Sequence, residues 1–218
     1  MCTNFVLIKK DGTAELAGRL GVNAAEFLYT RNAKPGAAIS IVTGAAGERR
    51  VRVATWWLYL KASAAGMVPD PKWFSVNTNY RQLPKKAEYR RRRCIVPATA
   101  FVESQERKNP HLLTPADGSA IAFGGLWKEW PDPAGGGPAW SASIITLPGH
   151  PSLANIHRKS TPLWLSPDDF DVWLDPAVTD TTALDHLLTP ALQTDLIATP
   201  INAAFTKAPV GEPFTIRC

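Results

Sequence analysis

Short runs of β-branched and aromatic residues dominate the first two thirds of the chain. Positions 4–8, 38–43, 50–57, 94–98, 120–127 and 141–147 each read as a strand bounded by turn-forming residues. Turn chemistry fills the intervals: 32–36 (Asn-Ala-Lys-Pro-Gly), Asp117-Gly118, and 131–138 with three consecutive glycines, the last a hairpin loop. Helical periodicity is confined to short segments, 14–20 with 24–28, 84–92, 167–174 and 181–188. The third has the best-marked start, with Ser166 as N-cap, Pro167 at the first helical position and Asp168 and Asp169 facing the helix dipole; Phe170, Trp173 and Leu174 are its inward positions. Strands and helices out of strict alternation predict an α+β fold rather than a doubly wound parallel sheet.

With 218 residues, 45% hydrophobic content and eight tryptophans, the chain can bury the core of one domain. Three widely spaced cysteines, Cys2, Cys94 and Cys218, make a poor disulfide framework and fit a reducing compartment. There is no CxxC pair, and His111, His150, His157 and His186 form no HxxxH pair, so no metal is expected. The apolar run from Phe5 to Ile8 is far too short for a signal peptide or a membrane span, and a cytoplasmic protein is expected. A net charge of +5 favours a polyanionic partner only modestly.

Four features bear on chemistry. Cys2 follows the initiator methionine; removal of Met1 would leave a thiol and an α-amine about 3 Å apart on one residue. Such an aminothiol condenses with an aldehyde to an imine and closes to a thiazolidine, or attacks an acyl carbon through sulfur. A basic stretch with Lys72, Arg81, Lys85, Lys86 and Arg90 to Arg93 is interleaved with Trp56, Trp57 and Trp73. That is the composition of a groove that tracks phosphates and stacks bases, although a solvated helix end and core tryptophans would give the same letters. Glu103 ends the apolar run 98–102 and is either an acid/base of raised pKa or a surface residue opening the polar loop 104–109. His157 lies between a strand and a helix, where functional side chains often sit. Gly124-Gly125 points to close backbone approach within a sheet rather than a phosphate cradle, and no GxSxG or SxxK motif supports a serine hydrolase.

The order of these features resembles the SRAP family, the SOS-response-associated peptidase domain whose members capture abasic sites in single-stranded DNA through Cys2. The matching residues span nearly the whole chain: Met1-Cys2; Arg31 to Gly36; Trp56-Trp57-Leu58; Asn77 to Arg81; Arg92 to Ala98 with Phe101-Val102-Glu103; Phe123 to Trp127; Ile144-Ile145-Thr146; and Ile156-His157 with Thr161-Pro162-Leu163. The resemblance implies one domain over 1–218, with a mainly antiparallel, barrel-like β core and flanking short helices. It implies Cys2 as nucleophile, Asn77 as a polar positioning group, Glu103 as acid/base and His157 as a second proton-handling group. Asn32, Trp56, Trp57, Trp73, Asn79, Arg81, Lys85, Lys86, Arg158 and Lys159 form the implied DNA-contacting set.

The implied partner is single-stranded DNA with abasic sites, junctions with duplex included, bound by a monomer without cofactor; in a bacterium this places the protein at the nucleoid. The alternatives are an N-terminal-nucleophile cysteine peptidase, acting on itself alone in the limit, and a non-catalytic single-stranded-DNA-binding relative. The chain also departs from the family pattern. It reads Asn77-Thr78-Asn79 where Asn-x-Arg is usual, with Arg81 the substitute cation. Trp57 stands in a glycine position, Ser104 in that of a frequent tryptophan, and Thr3-Asn4 in that of glycine-arginine.

Overall fold

The computed structural model describes residues 3–45, 47–105, 108–131 and 137–218. Cys2 and most of the hairpin loop 131–138 lie outside the described residues. In chain order the strands are β1 (Phe5–Leu7), β2 (Thr30–Ala33), β3 (Ala38–Ala45), β4 (Glu48–Trp56), β5 (Leu60–Ser63), β6 (Gly66–Pro69), β7 (Asn77–Asn79) and β8 (Arg93–Ala98). They continue with β9 (Ala100–Gln105), β10 (Lys108–Pro115), β11 (Ile121–Trp130), β12 (Ala139–Leu147), β13 (Thr161–Pro162), β14 (Leu196–Pro200) and β15 (Phe214–Ile216). The α-helices are α1 (Asp11–Arg19), α2 (Ala87–Arg91) and α3 (Phe170–Leu174).

Strands β11-β8-β3-β4-β12 close into a five-stranded barrel through β11–β12 pairing, with Gly125 opposite Ile144. Among the described strand pairings only two are parallel, β12 with β4 and β12 with the short β7. A second, wholly antiparallel sheet runs β15-β14-β10-β9-β1-β2. The fold is therefore the expected α+β domain with a mainly antiparallel barrel-like core.

Strand alternation sorts the barrel residues into two apolar sets. One set, with Trp56, Cys94, Val96, Phe123 and Ile144, packs against the second sheet; edge-to-face contacts of Phe5 with Trp56 (4.9 Å) and Phe101 with Phe123 (5.5 Å) join the two. The other set, with Val42, Ile95, Leu126 and Ile145, is covered by helices. α1 presents Thr13, Leu16, Ala17 and Leu20 at helical spacing to this layer. It ends at Gly21, whose φ of +65° permits the N–H of Val22 to reach Ala17 O at 3.0 Å. α3 buries Phe170, Trp173 and Leu174, as its sequence pattern predicts. The adjacent glycines serve close approach: a Cβ on Gly124 would lie 2.5 Å from Leu163 Cδ2, and one on Gly125 2.7 Å from Ser143 O.

Several sequence expectations require correction. Most of the predicted helical segments are wholly or partly 3₁₀ turns, as at Tyr80–Lys85, Pro167–Asp169 and Thr181–Leu188. Pro84, lacking an N–H, lies inside the first, and the Ser166 side chain makes no capping bond. The polar stretch 104–109 is not a free loop, because β9 continues to Gln105 and β10 begins at Lys108. The arginine run also divides. Arg92 lies over the Trp127 ring at 5.5 Å, whereas buried Arg93 donates to the carbonyls of Tyr89, Arg90, Trp173 and Asp175, tying the ends of α2 and α3 together.

Candidate active site

β9 carries Glu103 from the apolar layer to the wall of a cleft of ≈ 680 Å³, lined also by Thr3, Phe74, Ser104, His157, Lys159 and the segment Asn202 to Ala204. The first described residues reach this cleft because Asn4 continues the β1–β9 pairing: its carbonyl accepts the Val102 N–H at 2.9 Å. Glu103 is 3% exposed, and burial pushes its carboxyl up to about 7, against the opposing bond from the Ser104 N–H. Near neutral pH it is divided between acid and carboxylate, the condition under which one group can both give and take a proton.

His157 Nδ1 is 3.8 Å from Glu103 Oε2, beyond hydrogen-bond range, and 2.8 Å from the Ser104 carbonyl. A carbonyl only accepts, so Nδ1 carries the proton in the neutral ring. Nε2 is then the acceptor, 3.3 Å from Ser160 Oγ. Burial first, and Lys159 in addition, lower the imidazole pKa, so His157 is a neutral base at pH 7 and its contact with Glu103 is not an ion pair.

Asn77 is half-buried on β7, beside Ile144 of β12, and is not among the cleft-lining residues. Of the sequence-selected groups, the structure thus brings Glu103, His157 and Lys159 to one cleft.

The chain matches the family described as SOS response associated peptidase (SRAP) over residues 1–208. It belongs to the SRAP family. Two relatives from Bacillus subtilis are named abasic site processing proteins. YoqW is 29% identical over 150 residues, 65% of this chain and 66% of that protein; YobE is 27% identical over 136 residues, 59% and 61%. The chain therefore spans just under two thirds of the length of these relatives. Among solved structures, a Bacteroides thetaiotaomicron protein superposes with a TM-score of 0.72 at 20% identity, covering 92% of each chain. A Bordetella bronchiseptica protein gives 0.70 at 17%, covering 92% of this chain and 100% of that one.

For this SRAP chain, the tryptophans divide by burial. Trp56 has no exposed surface and donates its indole N–H to Val76 O at 2.9 Å, so it is a core residue and offers no face to a base, contrary to its place in the DNA-contacting set. Trp57 is half-buried, bonded to Asp70 O at 3.2 Å, and its ring meets Phe74 edge-to-face at 5.1 Å. Phe74 is 57% exposed and lines the cleft; Trp73 beside it is 53% exposed, with the Lys72 ammonium 5.3 Å from its ring. Arg81 lies exposed over Tyr80, Lys85 is exposed, and Lys86 bonds Tyr59 Oη at 2.6 Å. Phe74 at the cleft wall, Trp73 with Lys72, and Lys86 on Tyr59, whose ring is 6.5 Å from that of Trp73, form a basic, aromatic shelf next to the cleft.

Asn79 caps the turn Tyr80–Lys85 by accepting the Arg81 N–H at 3.0 Å. Arg158 is exposed beside Gln105, and Asn32 bonds Asn4 and Lys207 rather than facing outward alone. Sequence reasoning missed Phe74, Ser160, the Asn202–Ala204 wall and Lys207. Only Phe74, adjacent to Trp73 in an aromatic pair, carried a local signal. No helix among the described residues is long and apolar enough to cross a membrane.

Proposed function

We propose that this protein captures abasic sites in single-stranded DNA by forming a thiazolidine through Cys2 once Met1 has been removed. The observation that carries the reading is the pairing of Glu103, buried and raised to about 7, with a neutral His157 in the cleft reached by the N-terminal strand. The names of the Bacillus relatives point to the same substrate.

In the proposed sequence, the ring-opened abasic sugar presents a C1′ aldehyde. The Cys2 α-amine adds to it, giving a carbinolamine. Glu103 as the acid protonates the departing hydroxyl, water leaves, and an imine remains. The Cys2 thiol then adds to the imine carbon and its proton passes to the nitrogen, so that one water is lost overall. His157, through Nε2, takes the sugar hydroxyl proton during ring opening. An α-amine of ordinary pKa, near 8, is about one tenth neutral at pH 7, enough to act as the nucleophile. The basic shelf holds the flanking strand, and the protein acts as a cytoplasmic monomer.

The test is incubation with single-stranded DNA bearing one abasic site, followed by denaturing electrophoresis, with Cys2→Ala as control and intact mass to verify loss of Met1. A shifted band that survives denaturation and vanishes in Cys2→Ala is expected. No adduct from protein with a verified free Cys2 refutes the reading, and Cys2-dependent peptide cleavage in its place would identify a peptidase.

A further inference from the structure

Beyond β14 the chain doubles back on itself in a closed loop. Ile201 bridges to Pro209, and the Asn202 N–H bonds Ala208 O at 2.9 Å. The Asn202 side-chain oxygen accepts from Ala203 N (2.7 Å), Thr206 Oγ1 (2.6 Å) and Ala208 N (3.1 Å), while the Lys207 N–H reaches Ala203 O at 2.9 Å. These bonds hold Lys207 at a φ of +53°, in the left-handed region that L side chains avoid. From there its ammonium donates to Asn32 Oδ1 on β2 at 3.0 Å, so the loop is tied to β2 as well as to β14. A turn cross-bonded in this way has little freedom left to lose when something binds to it.

Phe205 sits in the middle of this turn. Its ring is 71% exposed, the largest value for any large apolar side chain among the described residues. A single exposed apolar residue is ordinary on a protein surface, and what sets this one apart is its place. Asn202, Ala203 and Ala204 line the cleft that holds Glu103 and His157. One peptide link, about 3.8 Å between Cα atoms, separates Ala204 from Phe205, so the phenyl stands in solvent at the rim of that cleft. Phe74, 57% exposed, reaches the same cleft from the segment before β7, which pairs with the barrel strand β12. The two phenyls thus come to one cleft from different sheets, with Lys159 in its lining and Lys207 in the loop, cations that suit a phosphate backbone.

An abasic residue supplies the chemical reason for two rings. Lacking a base, it leaves each of its neighbours in the strand with a face that has no stacking partner across the gap. With the bare sugar in the cleft, those two faces lie at its rim. We propose that Phe205 is a second base-stacking platform, taking the base on one side of the abasic residue as Phe74 takes the base on the other. This rests on the reading of the cleft as the site that receives the abasic sugar. Every base has a π-face, so such a pair of platforms holds the lesion without regard to the flanking sequence.

The experiment is fluorescence anisotropy with single strands carrying one tetrahydrofuran residue, an abasic analogue that has no aldehyde to condense. The analogue is placed in the interior, at the 5′ end or at the 3′ end, so that bases lie on both sides or on one. On the interior strand Phe205→Ala and Phe74→Ala are each expected to weaken binding about 5- to 100-fold. On one of the end-placed strands Phe205→Ala should cost nothing while Phe74→Ala keeps its effect, and on the other the two should exchange. Phe205→Leu, which keeps apolar bulk without a ring, should lose as much as alanine, and Phe205→Trp should bind at least as well as the wild type; unchanged thermal midpoints show that each variant is folded. Wild-type affinity in Phe205→Ala or in Phe205→Leu overturns the proposal, as does an equal loss from Phe205→Ala on both end-placed strands. A wild type that binds the analogue in this pattern yet forms no adduct with true abasic DNA overturns capture by Cys2 and leaves the platform standing.

Discussion

Glu103→Gln is expected to stabilise the protein, and to do so only at high pH. Burial moves the carboxyl from its ordinary 4.5 to about 7 in the folded chain. A carboxyl whose folded pKa is raised contributes its full stability below the unfolded value and loses it as pH climbs through the folded value. At about 1.4 kcal/mol per pH unit, the ionised carboxylate weakens the fold by about 3 kcal/mol at pH 8 relative to pH 4. The amide does not titrate. The difference in unfolding free energy between Glu103→Gln and the wild type should therefore become more favourable to the variant by about 3 kcal/mol from pH 4 to pH 8, with most of the change between pH 4.5 and 7. Urea titrations at a series of pH values measure it, and other titrating groups cancel to first order in the difference between the two proteins. The same variant should lose abasic-site capture, because an amide gives no proton to the carbinolamine hydroxyl. Parallel pH dependences in variant and wild type would show that Glu103 ionises as it would in water, and would remove the acid from the proposed mechanism.

Trp56→Ala should cost about 3–5 kcal/mol in urea unfolding, because it empties a fully buried site and leaves Val76 O without its donor. Phe74→Ala, at a residue 57% exposed, should leave the thermal midpoint nearly unchanged yet weaken binding of single-stranded DNA about 5- to 100-fold by fluorescence anisotropy, the loss of one stacked base. Arg93→Met should destabilise by about 3 kcal/mol by stranding carbonyls at the ends of α2 and α3, with little change in the salt dependence of DNA binding, since its guanidinium faces protein.

The two-faced strands were legible in the sequence because burial on both sides leaves dense apolar runs: β3, β8, β11 and β12 all stand close to where those runs predict them, while β4, largely half-buried or exposed, was legible from its β-branched and aromatic residues. The strands that escaped, such as β7 and β10, are short or polar and are fixed by partners distant in sequence: Asn77 by Ile144, His111 by Pro200. Glu103 and His157 could be selected by residue type and order, but what makes them a pair comes from the fold. The Ser104 carbonyl that fixes the imidazole tautomer is a backbone atom that no sequence pattern distinguishes. Trp56 shows the opposite failure: an aromatic among cations reads as a stacking platform until burial is known. The contact of Lys207 was invisible for a third reason, since it depends on a left-handed backbone and a bond to Asn32, 175 residues away in sequence.

The departures from the family pattern acquire a physical meaning when their atoms are separated into backbone and side chain. Ser104 stands where a tryptophan is frequent, yet its part in the acid/base pair is played by its carbonyl and N–H, which any residue supplies. The proton chemistry can therefore survive that substitution while a ring is lost from the cleft. Trp57 acts in the reverse sense. In a glycine position it adds a ring, and that ring braces Phe74 from behind at 5.1 Å, leaving the phenyl more than half exposed at the cleft wall. An exposed aromatic held by a second one has lost little further freedom when a base stacks on it, which is the condition for an ordered contact to contribute its full stacking energy. The aromatic surface of this cleft therefore lies at Phe74, with Trp57 packed against it. Trp57→Gly should therefore reproduce most of the binding loss of Phe74→Ala, and the double variant should be little worse than either, because the two rings act as one unit. Additive losses would mean that Phe74 needs no brace, and that the tryptophan at 57 contributes to the shelf separately.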